Sequence, residues 1–208
     1  MVIPVPRFLP LSLMLVIALA ACGAGESNVE RGNRLGVLHY GNGSEPQGLD
    51  PHVVTGVPEN HIVRALFEGL TVKNPYTLEP EPGVAESWAV SDDGRVITFH
   101  LRGDARWSNG DPVTADHFVW SWRRALHPAM GNAYAYMLYP VKNAEAYARG
   151  ELEDFAAVGV KALDPQTLQV TLTERTPYFI QLMDHASTFA VHPPTIEACG
   201  EPTDRFTC

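Results

Sequence analysis

Three cysteines in 208 residues, at positions 22, 199 and 208, leave no disulfide framework that could hold a fold. Stability must come from a hydrophobic core. Basic residues are also few: 15 Lys and Arg stand against 24 Asp and Glu, for a net charge of −9. An acidic chain of this kind argues against a nucleic-acid partner. No apolar run reaches the roughly 20 residues that a membrane-spanning helix needs; the stretch from Phe8 to Ala20 is broken by Pro10 and Ser12. Catalytic signatures are missing too. There is no G-x-S-x-G elbow, no H-E-x-x-H and no Walker loop, and "GNGSEPQG" (Gly41 to Gly48) lacks G-x-G-x-x-G spacing. His185, His192, Cys199 and Cys208 are seven, seven and nine residues apart, which matches no usual zinc pattern. The residues therefore predict neither an enzyme nor a metal or cofactor site.

What is present begins at the amino terminus. Arg7 precedes the apolar run, and the run ends in the small residues of Leu19-Ala20-Ala21-Cys22. This is the pattern of a secretion signal over residues 1–21. The tetrapeptide "LAAC" resembles the bacterial lipobox, in which the cysteine receives a diacylglyceryl thioether, so Cys22 is the expected lipidation site. One acyl chain binds a bilayer only marginally, with K on the order of 10⁴ per molar, whereas the several chains of a lipoprotein attach durably. Cleavage would remove Arg7 and no acidic residue, taking the net charge from −9 to −10. Residues 22–34 are small and polar with no apolar period, which predicts a lipidated flexible tether.

Ordered structure is expected from Leu35. Leu35 to Tyr40 reads as a strand, followed by a loop rich in Gly, Pro and Asn up to His52. Pro58 to Leu70 carries Ile62, Leu66 and Leu70 at helical spacing. Ser87 to Val90 and Val96 to Arg102, joined across "SDDG", predict a hairpin with Ile97, Phe99 and Leu101 on one face. Thr114 and Asp116 open a helix whose buried stripe is Phe118, Val119, Trp122 and Leu126, stopped by Pro128. Val158 to Leu163 and Leu168 to Leu172 form a second strand pair, and Thr176-Pro177 starts a short helix through Met183. Hairpins and helices interleave without strict β-then-α alternation, which predicts a mixed α/β fold. Aromatics gather in Trp107, Trp120, Trp122, Tyr134, Tyr136 and Tyr139, and most of them are expected to pack in the core.

The run Glu86-Ser-Trp88, Asp93-Gly94, "TFHLR" (Thr98 to Arg102), Trp107-Ser-Asn-Gly110 and "DPVTADHFVWSW" (Asp111 to Trp122) resembles the defining segment of the family 5 solute-binding proteins, the peptide receptors of ABC importers. "NGSEPQGLDPH" (Asn42 to His52), "LFEGL" (Leu66 to Leu70), "AYAYMLYPVKNAEAY" (Ala133 to Tyr147), "GVKALD" (Gly159 to Asp164) and "TPYF" (Thr176 to Phe179) extend the resemblance toward the oligopeptide-binding branch.

The resemblance implies a periplasmic-binding-protein-like type II clamshell, here incomplete. On that basis residues 35–67 start the first lobe, 68–194 form a smaller inserted α+β domain, and 195–208 return toward the first lobe, where the chain stops. It further implies that a peptide is held by main-chain hydrogen bonds as an added strand, an arrangement tolerant of sequence. Thr55, Gly56 and Val57 would supply one wall, and Tyr134 would be an aromatic facing the ligand. The acidic partner of the peptide's amino terminus would lie in the part of the family's length that this chain does not span. Expected partners are short oligopeptides, the permease and ATPase subunits of an importer, and the membrane through the lipid on Cys22. The expected location is the periplasmic or cell-surface side of the envelope. A rival expectation is a non-transporting envelope lipoprotein that keeps only the inserted domain. Cys199 and Cys208 could close a short loop, but the resemblance supplies no such bridge.

Metabolic labelling with a fatty acid in a bacterial host tests the anchor. The wild-type chain is expected to incorporate label and Cys22→Ser to incorporate none; equal incorporation would refute lipidation at this cysteine.

Overall fold

A computed structural model describes residues 26–203. The signal segment, Cys22 and Cys208 lie outside these residues. The chain divides into two compact units, Met1–Asn42 and Gly43–Cys208.

In the first unit, helix α1 (Asn28–Leu35) occupies much of the expected tether, and no strand forms over 36–40. The helix has almost no apolar burial to reveal it in the sequence; local polar contacts hold it. Ser27 and Glu30 cap each other reciprocally, with the Ser27 N–H donating to Glu30 Oε2 at 2.8 Å. Arg34 reaches back to the Glu26 carboxylate at 2.7 and 2.9 Å. Gly36, at φ +66°, ends the helix in a left-handed cap that a strand reading of Leu35 to Tyr40 cannot accommodate.

The second unit is built on a four-stranded antiparallel sheet. Its strands are β3 (Ala85–Val90), β4 (Val96–Leu101), β5 (Val160–Asp164) and β6 (Thr167–Thr171), in the order β3-β4-β6-β5. Before it, β1 (Thr71–Lys73) and β2 (Pro80–Pro82) form a separate two-stranded ribbon. Register follows the alternation in the sequence: Ile97 faces Val170 and Phe99 faces Leu168, and all four are buried, with Leu101 continuing the same face. Helix α3 (Ala115–Leu126) covers that face with Phe118 and Trp122, both fully buried. Thr114 caps the helix in a reciprocal box with His117, as its position just before the apolar stripe implies.

Helix α2 (Val57–Leu66) ends four residues before the predicted Leu70. Phe67 is already extended, at φ −121° and ψ 158°. The chain has to leave the helix here because Leu70 is buried and Gly69 sits against neighbouring backbone: a Cβ on Gly69 would lie 2.1 Å from the Met183 carbonyl oxygen. The remaining helices are short: α4 (Ala144–Ala148), α5 (Phe179–Leu182) and α6 (Pro193–Cys199). Cys199 is disulfide-bonded.

One buried polar cluster ties α3 to the loop ahead of α2. Arg124, its side chain 3% exposed, donates to both Asp50 oxygens, at 3.1 and 2.6 Å, and to His52 Nδ1 at 2.9 Å. Its Nε donates to the Pro202 carbonyl. The guanidinium can only donate, so Nδ1 of His52 is an acceptor and Nε2 carries the proton, which it gives to the Phe189 carbonyl at 3.0 Å. The ring is therefore neutral. Burial pushes its pKa down to about 4, helped by the Arg124 charge and opposed by Asp50.

Stability should depend on pH through this ring. An unfolded chain takes up the His52 proton near pH 6.5 and the folded chain only near 4, so its contribution is complete above 6.5 and is lost as pH falls toward 4. Between pH 7.5 and 5 the loss is about 2 kcal/mol. Urea unfolding of wild type and His52→Gln checks this, since a carboxamide can accept from Arg124 and donate to Phe189 without titrating. The variant should lose about 2 kcal/mol less than wild type over that interval; equal losses would show that His52 does not control the response.

Candidate functional site: a cavity walled by the loop before helix α2

The loop from Asp50 to Val57 is fixed at both ends. Upstream, His52 is held in the cluster above; downstream, Gly56 is the N-cap of α2, with extended backbone at φ −79° and ψ 154°. No side chain caps through Gly56. Glu59, in the first turn, folds back instead: its Oε1 accepts the Gln47 N–H at 2.8 Å. That bond, with a second from its own N–H, holds the Glu59 carboxyl below the usual carboxylate range. Space explains the glycine. A Cβ at position 56 would lie 1.9 Å from Glu59 Oε2.

The facing wall is hung from α3. Trp122 Nε1 donates to the Thr188 carbonyl at 2.9 Å, and the Val191 N–H donates to Ser121 Oγ at 2.9 Å. These bonds set the 3-10 turn Ala186–Thr188 and, just before it, Asp184 and His185. Tyr134 precedes a second 3-10 turn, Ala135–Leu138. Its N–H donates to Asn132 Oδ1 at 2.9 Å, while Asn132 Nδ2 donates to the Ala125 carbonyl at the end of α3.

Between these walls lies a cavity of about 470 Å³. Thr55, Gly56, Val57 and Tyr134 all line it. The structure thus brings together four residues separated by almost eighty positions in the chain. Thr55 and Val57 are exposed, Gly56 and Tyr134 half-buried. A second hollow of about 650 Å³, lined by Leu66, Phe67, Val84 and Phe118 among others, includes none of the four.

The cavity also holds residues that the sequence pattern did not single out as a site. Arg64 donates from one nitrogen to Asp184 Oδ1 at 2.8 Å and from the other to the Asp184 carbonyl at 2.7 Å. His185 meets Tyr134 edge to face, with ring centres 4.9 Å apart. Its Nδ1 accepts the Ser187 N–H at 3.2 Å, which places the proton on Nε2. Burial lowers the His185 pKa, with Arg64 and Lys73 acting in the same direction and Asp184 against them. Arg64 reads in sequence only as the polar side of an amphipathic helix, and His185 only as one member of a poorly spaced metal set. No three His, Cys, Asp or Glu side chains converge among the described residues.

The model of the bacterial extracellular solute-binding proteins, family 5 Middle, matches residues 79–206. The chain belongs to this family. It is 45% identical over 199 residues to the periplasmic oligopeptide-binding protein OppA of Escherichia coli, covering 91% of this chain and 36% of that protein. It is 38% identical over 205 residues to the oligopeptide-binding protein OppA of Bacillus subtilis, covering 94% and 36%. In structure it resembles OppA of Haemophilus influenzae, crystallised in complex with RPPGFSPFR. There the TM-score is 0.72 and the identity 42%, over 77% of this chain and 31% of the other. The chain spans about a third of the length of the curated relatives it matches. The mixed α/β fold is accordingly part of the family's clamshell, as the motifs between Glu86 and Trp122 imply.

The wall formed by Thr55 to Val57 should depend on the absence of a side chain at Gly56. Gly56→Ala would expel the Glu59 carboxylate and leave the Gln47 N–H without its acceptor. Hydrogen exchange at Gln47 should rise roughly tenfold, the equivalent of one ordinary hydrogen bond. Glu59→Ala should raise it as much, and the double variant no further. Additive effects would show that the glycine and the carboxylate do not act as one unit.

Proposed function

We propose that this chain supplies one wall of the peptide-binding site in the extracytoplasmic receptor of an ABC-type oligopeptide importer. The observation that carries the proposal is the convergence of Thr55, Gly56, Val57 and Tyr134 on one cavity. The same four residues are those that the family motifs assign to ligand contact. Relatives named as oligopeptide-binding proteins, at 38–45% identity, point to the same ligand class. The work is binding, with no chemical step.

The extended backbone at Gly56 suits a peptide laid alongside as an added strand, through bonds to main-chain groups other than the Gly56 carbonyl, which accepts the Asn60 N–H at 3.0 Å. Such bonds are common to every peptide, while the cavity leaves room for side chains of different size and for water. Lipid on Cys22 would hold the receptor on the periplasmic or cell-surface side of the envelope, for work with the permease and ATPase subunits.

Affinity of this chain by itself should be weak. Each solvent-competed hydrogen bond contributes only about 0.5–1.5 kcal/mol net, and a few of them barely offset the roughly 4–15 kcal/mol of freedom lost on association. Titration of a ¹⁵N-labelled chain with a short alanine peptide, followed by NMR, tests the reading. Saturable shifts are expected at the amides of Thr55 to Val57 and at Tyr134, with affinity weaker than micromolar. Shifts confined to other surfaces would overturn the placement. Micromolar or tighter binding would overturn the view that this wall needs an opposing one.

A further inference from the structure

The charges lining the cavity do not cancel. Arg64 donates from both terminal nitrogens to Asp184, one to its carboxylate and one to its carbonyl, so the two charges compensate. Lys73, at the end of β1, also lines the cavity. Among the described residues its ammonium has no ion-pair partner. No glutamate lines the cavity, and His185 is neutral in the tautomer fixed above. The cavity therefore carries one net positive charge inside a chain whose overall charge is −9. The Lys73 side chain is exposed, and the backbone that carries it is braced by the ribbon. The Asn74 N–H donates to the Glu79 carbonyl at 2.9 Å, and Asn74 Oδ1 accepts from the Tyr76 and Thr77 N–H groups at 2.8 and 2.9 Å.

We propose that Lys73 makes this cavity a subsite for a carboxylate, the acidic side chain of a bound peptide. The proposal rests on the peptide-binding reading above and narrows it. A general peptide wall works through main-chain groups and is indifferent to side-chain charge. One uncompensated ammonium beside an already paired Arg64 and Asp184 is not indifferent: it attracts an anion and repels a cation. Gln181 and Asn60 line the same cavity and carry amide N–H groups able to donate to a carboxylate. A peptide's terminal carboxylate presents the same chemistry and needs a separate arm in the test.

The experiment uses four probes on the ¹⁵N-labelled chain. Two are tripeptides, Ala-Glu-Ala and Ala-Gln-Ala, both amidated at the carboxyl end so that only the side chain differs. The others are N-acetyl-glutamate N-methylamide, which carries the side-chain carboxylate without a peptide chain, and Ala-Gln-Ala with a free terminal carboxylate. The glutamate tripeptide should bind roughly three- to tenfold more tightly than its glutamine counterpart, and the preference should shrink as salt is raised. In Lys73→Gln the ratio should fall to about one. The glutamate amide should shift Lys73 and its cavity neighbours in wild type. Equal affinity of the two amidated tripeptides, or a preference that survives in Lys73→Gln, would overturn the subsite while leaving the peptide wall standing. Failure of all tripeptides with docking of the glutamate amide at Lys73 would do the reverse. A gain on freeing the terminal carboxylate that equals the gain from glutamate would show that the subsite takes chain ends, and would overturn its assignment to side chains.

Discussion

A guanidinium almost out of contact with solvent is costly unless nearly every donor finds an acceptor, and the second unit is arranged around meeting that condition for Arg124. Asp50 supplies both carboxylate oxygens, His52 a ring nitrogen, and Pro202 a carbonyl. Burying such a pair gains little compared with an apolar contact, but removing one member typically costs about 3–5 kcal/mol. Its value here is positional. Two segments far from α3 in the chain, Asp50–His52 and Pro202, can satisfy the guanidinium together in few arrangements, and an apolar contact would not restrict them so narrowly. The loop that becomes the Thr55 to Val57 wall leaves this cluster only three residues after His52. Through the Phe189 carbonyl the same cluster holds the segment that presents His185. Both sides of the cavity are therefore referred to one point on α3.

Helix α3 answers two demands with different sides. Phe118 and Trp122 cover the sheet, and the indole nitrogen of Trp122, which must find a partner when buried, finds it in the Thr188 carbonyl. Ser121 and Arg124 face the chain that returns past the helix and fix it by hydrogen bonds. A purely apolar helix would cover the sheet equally well and leave the cavity walls free to slide. Polar groups at otherwise apolar contacts act as register marks, and their cost is repaid in specificity of arrangement rather than in net stability.

The sheet and α3 were legible in the sequence because their signal is periodic burial. Ile97, Phe99 and Leu101 alternate with exposed or half-buried neighbours, and Phe118, Trp122 and Leu126 fall on one helical face. Helix α1 was not legible, since its stabilising contacts are a polar cap and an ion pair, and these carry no period. The end of α2 was misplaced because Leu70 continues the helical spacing in sequence while belonging to the strand side of the fold; the decisive signal was Gly69, whose need for close backbone approach is invisible until its neighbours are known. The wall residues came from family motifs and not from any chemical pattern of their own. Thr, Gly and Val in succession suggest nothing by themselves. Arg64, Asp184 and His185 escaped for a related reason: charge and ring chemistry identify a site only when the groups converge, and 120 positions separate Arg64 from its partner.

That separation bears on how the chemistry of the cavity is assembled. At its cavity end the loop before α2 offers Thr55, Gly56 and Val57, with no charged or aromatic side chain among them. Charged and aromatic groups reach the cavity from elsewhere: the β1–β2 ribbon with Lys73, the turn with His185, and the segment carrying Tyr134. The Tyr134 segment is held through Asn132 to the Ala125 carbonyl of α3, and the His185 segment is held both by α3, through Trp122 and Ser121, and by the loop, through His52 and the Phe189 carbonyl. The charged and aromatic lining and the loop backbone thus belong to separate pieces of structure, and two of the pieces that carry side chains are tied to α3.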